Sequence, residues 1–165
     1  MLNSAVIPLN FAIGYGLRVS VRQLALLALL AVTPLVAFAK DAAIVVAKNS
    51  KVTAIQSAAF SKAFTSAPAR LANGQEIVLV VKPLNTPETQ AVVSKLLAQT
   101  PEGINKMVAN HTIVVVDSDA EVIRIVSSTP IAVGVVDTYS ITSAIMVVKV
   151  DEKLPLEPGY LLHYH

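Results

Sequence analysis

The sequence predicts an α/β domain, a mixed and mostly parallel sheet with helices on both faces. Three observations lead there. Short β-branched, apolar runs recur at 42–47, 77–81, 113–116, 131–136 and 144–150. Segments with helical spacing lie between most of them. The runs are apolar throughout instead of alternating, as in strands covered on both faces.

Taken in order, the run at 42–47 is the first strand, and Asn49-Ser50 turns the chain. From Val52 the spacing changes: Ile55, Ala58, Ala59, Phe60, Ala63 and Phe64 recur at three and four, and Thr53 with Gln56 fits a capping box at the start of a helix. Pro68 and the Asn73-Gly74 turn close that helix, and Pro83 stops the strand at 77–81. Thr86-Pro87-Glu88 and Thr100-Pro101-Glu102 each place an N-cap hydroxyl before proline at the first helical position, with an acid in the first turn. Ser118-Asp119-Ala120-Glu121 is a further capping box, after the strand at 113–116 and ahead of Val122, Ile123, Ile125 and Val126. That helix ends before Pro130, and two strands then lead to a polar, proline-containing tail at 151–159. Phe60, Phe64, Val80 and Val133 fall on the apolar stripe or in the strands and are expected in the core.

Residues 1–39 read as a secretory signal. Arg18 and Arg22 precede an apolar stretch at 24–38, broken by Pro34, that closes on Ala37-Phe38-Ala39. Cleavage there would leave Lys40 at the N-terminus of one periplasmic domain, 40–165. The alternative is an uncleaved membrane anchor, because the stretch approaches the ~20 residues of a spanning helix. The first 17 residues are longer and more apolar than a signal requires, which leaves a downstream translation start open.

The chain is 54% apolar and 15% charged, too hydrophobic for disorder. Its formal charge of +2 comes from Arg18 and Arg22; from Lys40 on there are 11 basic and 11 acidic side chains. Without a basic field, nucleic acid is set aside as a partner. The absence of cysteine excludes disulfides, thiolate metal sites and Cys nucleophiles. Ser57, Ser61, Ser94 and Ser140 lack a G-x-S-x-G elbow, and there is no Walker sequence or G-x-G-x-x-G. The expectation is a domain without catalysis or cofactor. His163 and His165 flank Tyr164 and would share one face of an extended tail, but with no third ligand apparent they read as a frayed, solvated terminus. His111 reads as the residue closing a helix, where its ring suits the dipole.

In open α/β sheets, ligands bind outside the carboxyl ends of strands, where helix N-termini offer free N–H groups. That directs attention to 82–89 and 117–121. Lys82, Asn85, Thr86 and Thr89 fit an anion nest, with Ser118 as a further donor; they equally fit ordinary capped helices.

These loops carry a family resemblance. The helix at 54–64 with Phe60 and Phe64, Val80-Val81-Lys82-Pro83 followed by Asn85-Thr86-Pro87-Glu88-Thr89, Ser118-Asp119-Ala120-Glu121-Val122, and Pro130-Ile131-Ala132-Val133-Gly134-Val135-Val136 stand in this order. The order resembles that in the phosphate-binding subunits of ABC importers, and more closely short relatives within the periplasmic binding-protein superfamily. The resemblance implies one lobe of a type 2 periplasmic binding protein and a module that binds phosphate or a similar oxyanion. It also implies an envelope or transporter protein as partner, as an accessory to transport or sensing. Full-length members close two lobes around the ligand, whereas 40–165 supplies one, so a partner or a second copy would have to complete the cleft. Lys82 stands where the family often has arginine, and Asn85, Pro87 and Glu88 stand where it has small turn residues. Glu88 opposes an anion at the helix start. The other reading is a ligand-free interaction domain that docks an envelope protein.

Overall fold

The computed structural model describes residues 40–165; the expected signal segment lies outside them. The first strand, β1 (Lys40–Ala47), is buried from Asp41 to Ala47. Its side chains serve two cores, Ala42, Ile44 and Val46 on one face and Ala43 and Val45 on the other. The same division runs through β4 (Glu76–Val81) and β6 (Ala132–Asp137): Leu79, Val81, Val133 and Val135 face the first core, Val80, Ala132 and Val136 the second. This is why these strands are apolar throughout.

Among the described residues, four α-helices cover the two faces. On the first lie α1 (Ser57–Ala63), α2 (Pro87–Ala91, continuing with π geometry over Val92–Leu97) and α3 (Pro101–Ala109), which contribute Phe60, Val92, Leu96 and Ile104. On the second lies α4 (Asp119–Ser128), through Val122 and Val126. Phe60, Phe64, Val80 and Val133 are all buried, as expected from their spacing.

The main sheet runs β3 (Ala69–Arg70), β4, β6, β1, β7 (Ile145–Val147); β5 (Ile113–Val115) adds to β4 and β9 (His163–Tyr164) to β1. The mixed sheet is as expected, but the balance of pairing differs. Parallel pairing in it is confined to β4 with β5 and β6, whereas β1 is antiparallel to β6, β7 and β9, and β3 to β4. An apolar run reports burial on both faces and is blind to direction, so β1, inserted against its neighbours, reads like a parallel strand.

Two further expectations are corrected. The helix foreseen from Val52 begins at Ser57, because β2 (Ala54–Ile55) pairs in parallel with β8 (Lys149–Val150) as a separate small sheet. The Thr53–Gln56 capping box does not form: the Gln56 side chain makes no cap bond, and the Thr53 carbonyl accepts from the Lys149 N–H. Asp151 Oδ1, 94 positions away, accepts the Ser57 N–H at 2.8 Å instead. Correspondingly, the strand expected over 144–150 divides at Val148, whose N–H bonds the Ile44 carbonyl before the chain passes from β1 to β2.

The second correction concerns the C-terminus, which is not frayed. His163 pairs across from Asp41, and its Nδ1 contacts the carboxylate of Asp41, which is 2% exposed. The second Asp41 oxygen accepts the Leu156 N–H at 2.5 Å, and the buried Tyr160 hydroxyl donates to the Ala42 carbonyl at 2.9 Å. A carboxylate inside a strand is costly unless such partners reach it, and the tail supplies them. His111 does close α3, two residues beyond its end and with φ +55°.

Candidate functional site

Because β5 and β6 both run parallel to β4, their carboxyl ends open on the same end of the sheet, and the following loops meet there. Lys82 directly follows β4, and its side chain is 18% exposed. Its ammonium contacts the carboxylate of Glu88, in the first turn of α2, and lies 3.0 Å from Asp119 Oδ1, at the start of α4. Asp119 is tied down further: Oδ2 accepts from the Asp137 N–H at 3.3 Å and from the Ser140 hydroxyl at 2.5 Å. Its Oδ1 is buried, and the Lys82 ammonium 3.0 Å away is what balances it. Asp137, the last residue of β6, accepts from the Tyr139 N–H at 2.9 Å and the Tyr164 hydroxyl at 2.6 Å, with Lys40 Nζ 4.0 Å away.

Among the expected site residues, Lys82, Thr86 and Thr89 come together. Thr86 is the N-cap residue of α2 but makes no cap bond; its hydroxyl donates to Thr89 Oγ1 at 3.0 Å, and the Thr89 hydroxyl donates to the Lys82 carbonyl at 3.2 Å. The first-turn N–H groups of Glu88 and Thr89 therefore have neither that cap nor a carbonyl within the helix. Asn85 is exposed, without a side-chain hydrogen bond among the described residues. Ser118 is used locally as the N-cap of α4, accepting the Glu121 N–H at 3.3 Å, while Glu121 reaches back to the Asp117 N–H at 3.1 Å. Asp137, Ser140 and Tyr164 were not foreseen. Asp137 had a signal: it follows an apolar run as Lys82 and Asp117 do. Tyr164 had none, since its role depends on the ordering of the tail.

The electrostatics follow from this packing. Burial alone would lower the Lys82 pKa, but the hydrogen bonds and charges of Glu88 and Asp119 outweigh it and raise it above the ordinary value, so the ammonium is kept at neutral pH. Burial would likewise raise Asp137; the bonds from Tyr164 and Tyr139 and the Lys40 and Lys82 charges prevail and hold its carboxyl below the usual range. A depressed carboxylate pKa contributes stability that is present above the unfolded value, near 4, and is lost as pH falls through the folded one. Asp137→Asn should therefore lower the urea midpoint at pH 7 and flatten its fall as the pH drops below about 4. Parallel denaturation series across this pH range check this; an unchanged acid limb would contradict the assignment.

An apolar hollow of about 370 Å³ lies elsewhere, lined by residues including Val52, Ile55, Phe60 and Leu71, and by none of the expected site residues. Among the described residues there is no group of three metal-ligating side chains, and no helix is long and apolar enough to cross a membrane.

No protein-family profile and no curated protein sequence matches the chain. Solved structures do. An ABC-type phosphate transport receptor from Vibrio cholerae superposes with TM-score 0.61 at 17% identity, over 76% of this chain and 54% of the receptor. A putative phosphate ABC transporter substrate-binding protein from Clostridium perfringens, solved with bound phosphate, gives 0.63 at 15%, over 76% and 53%. PstS from Borrelia burgdorferi gives 0.60 at 16%, over 77% and 55%. The likeness is one of fold. The chain spans about half the length of the receptors it matches.

Proposed function

We propose that residues 40–165 form an exported, non-catalytic solute-binding-like module that takes phosphate or a similar oxyanion at the Lys82 end of the sheet. The observation that carries this reading is the meeting, at the carboxyl ends of three parallel-paired strands, of a half-buried ammonium with first-turn N–H groups that Thr86 leaves uncapped. The phosphate receptors that share the fold support the ligand class; the arginines and apolar stretch of residues 1–39 support export to the periplasm. Glu88, Asp119 and Asp137 oppose an anion, so binding is weak, micromolar to millimolar. A transport partner or a second copy facing this end would exclude water and strengthen it.

Amide chemical shifts followed during titration with inorganic phosphate and with sulfate test the reading. The expected shifts concentrate at 82–89 and around Asp119. No change anywhere in these loops at about 10 mM, well above the expected constants, would contradict it. The second reading, a ligand-free domain docking an envelope protein, is favoured by Tyr139, 82% exposed beside Asp137, and Leu156, 66% exposed on the tail. It would then take the place of the first.

A further inference from the structure

The two carboxylates that hold Lys82 are not equivalent. Asp119 is fixed from three sides, by the Lys82 ammonium, the Asp137 N–H and the Ser140 hydroxyl. For the Glu88 carboxylate, Lys82 is the one polar partner among the described residues, although Glu88 is only 5% exposed. Release of Asp119 would also break its bonds to the Asp137 N–H and the Ser140 hydroxyl and unfasten the loop after β6. Release of Glu88 breaks a single ion pair, and the residue sits on the first turn of a helix at the mouth of the site.

We infer that Glu88 is a built-in competitor: its carboxylate occupies the oxyanion's place on Lys82, and a ligand binds by displacing it, while Asp119 remains as the fixed counter-ion. This rests on the oxyanion reading above and adds how that site is regulated. With Glu88 in place, the Lys82 charge is paired instead of open to any passing anion. The ligand's apparent affinity is reduced by the fraction of molecules in which Glu88 holds the ammonium. Any partner that draws Glu88 outward, for instance by presenting a cation at the mouth, raises affinity without touching the ligand.

The experiment is calorimetric titration of inorganic phosphate into the purified protein, its Glu88→Gln variant and its Glu88→Asp variant, each first checked by thermal melting. Glu88→Gln removes the competing charge with little change of volume. Glu88→Asp keeps the charge but withdraws it from Lys82, so it guards against a Gln variant that folds poorly. The expected result is affinity about tenfold tighter or more for Gln, with Asp between Gln and wild type. Equal affinity in all three would overturn the competitor and leave the oxyanion reading in place. No binding in any of the three would overturn the oxyanion reading itself, and this inference with it.

Discussion

Gly134→Val should bring the domain close to unfolding. Gly134 lies in the middle of β6, between Val45 of β1 and Val80 of β4, on the face that α4 covers. A Cβ built there would lie 2.6 Å from Val122 Cγ1, 2.7 Å from Val126 Cγ2 and 3.1 Å from Val45 Cγ2. These are branched side chains with one favoured rotamer in helix or strand, so they cannot swing aside, and the helix would have to lift from the sheet. Overpacking of this kind costs about 1–3 kcal/mol for a methyl group, and valine adds two more carbons in the same place. The expected loss for Gly134→Val is at or above the top of that range. Because α4 carries Asp119, the site should suffer with the fold. Equilibrium urea denaturation checks it; a loss under about 0.5 kcal/mol, the size of an ordinary surface change, would mean that α4 does not sit on Gly134.

Phe64→Ala should cost about 3–5 kcal/mol. Phe64 is 1% exposed at the end of α1, and its ring lies 4.9 Å from that of Phe60, tilted by 45°. The pair belongs to the first core together with Leu96 and Leu97, so truncation leaves a cavity among buried side chains. Against a total stability of about 5–15 kcal/mol, the denaturation midpoint should fall by about a fifth or more. Phosphate affinity measured well below that midpoint should hold, since Phe64 lies in the core opposite α4 and does not touch Lys82. A loss of binding in a folded Phe64→Ala variant would place the site elsewhere.

How much of this was legible in the sequence depends on how local each cause is. β1, β4 and β6 were readable because burial on both faces leaves no choice but apolar, β-branched residues. The Ser118 and Thr100 caps were readable because donor and acceptor lie three residues apart, and both form. Thr86 has the same local signature, yet its hydroxyl turns to Thr89, whose own hydroxyl donates to the Lys82 carbonyl, a choice made by the packing of the loop. The start of α1 was missed because the backbone of Ala54 and Ile55 is claimed by β8 and the helix is capped by Asp151, both from the far end of the chain. Tail order was missed for the same reason. Asp41 gave a faint signal, a lone carboxylate at the mouth of an apolar strand, but its partners lie more than 110 positions away. At the site, Lys82 and the opposition of Glu88 were visible; that Glu88 and Asp119 both grip Lys82, one loosely and one firmly, required the loops to be placed in space.

The central claim is that Lys82 is the cation of an oxyanion site, and calorimetric titration of inorganic phosphate into the wild-type protein and Lys82→Ala tests it most directly. Lys82→Ala also frees Glu88 and Asp119 from their counter-ion, so the mouth becomes wholly acidic and the anion loses both an attraction and a screen. The account predicts a dissociation constant between micromolar and millimolar for the wild type and weakening by about tenfold or more, to no measurable heat, for the variant. Phosphate bound equally well by a folded Lys82→Ala protein would contradict it.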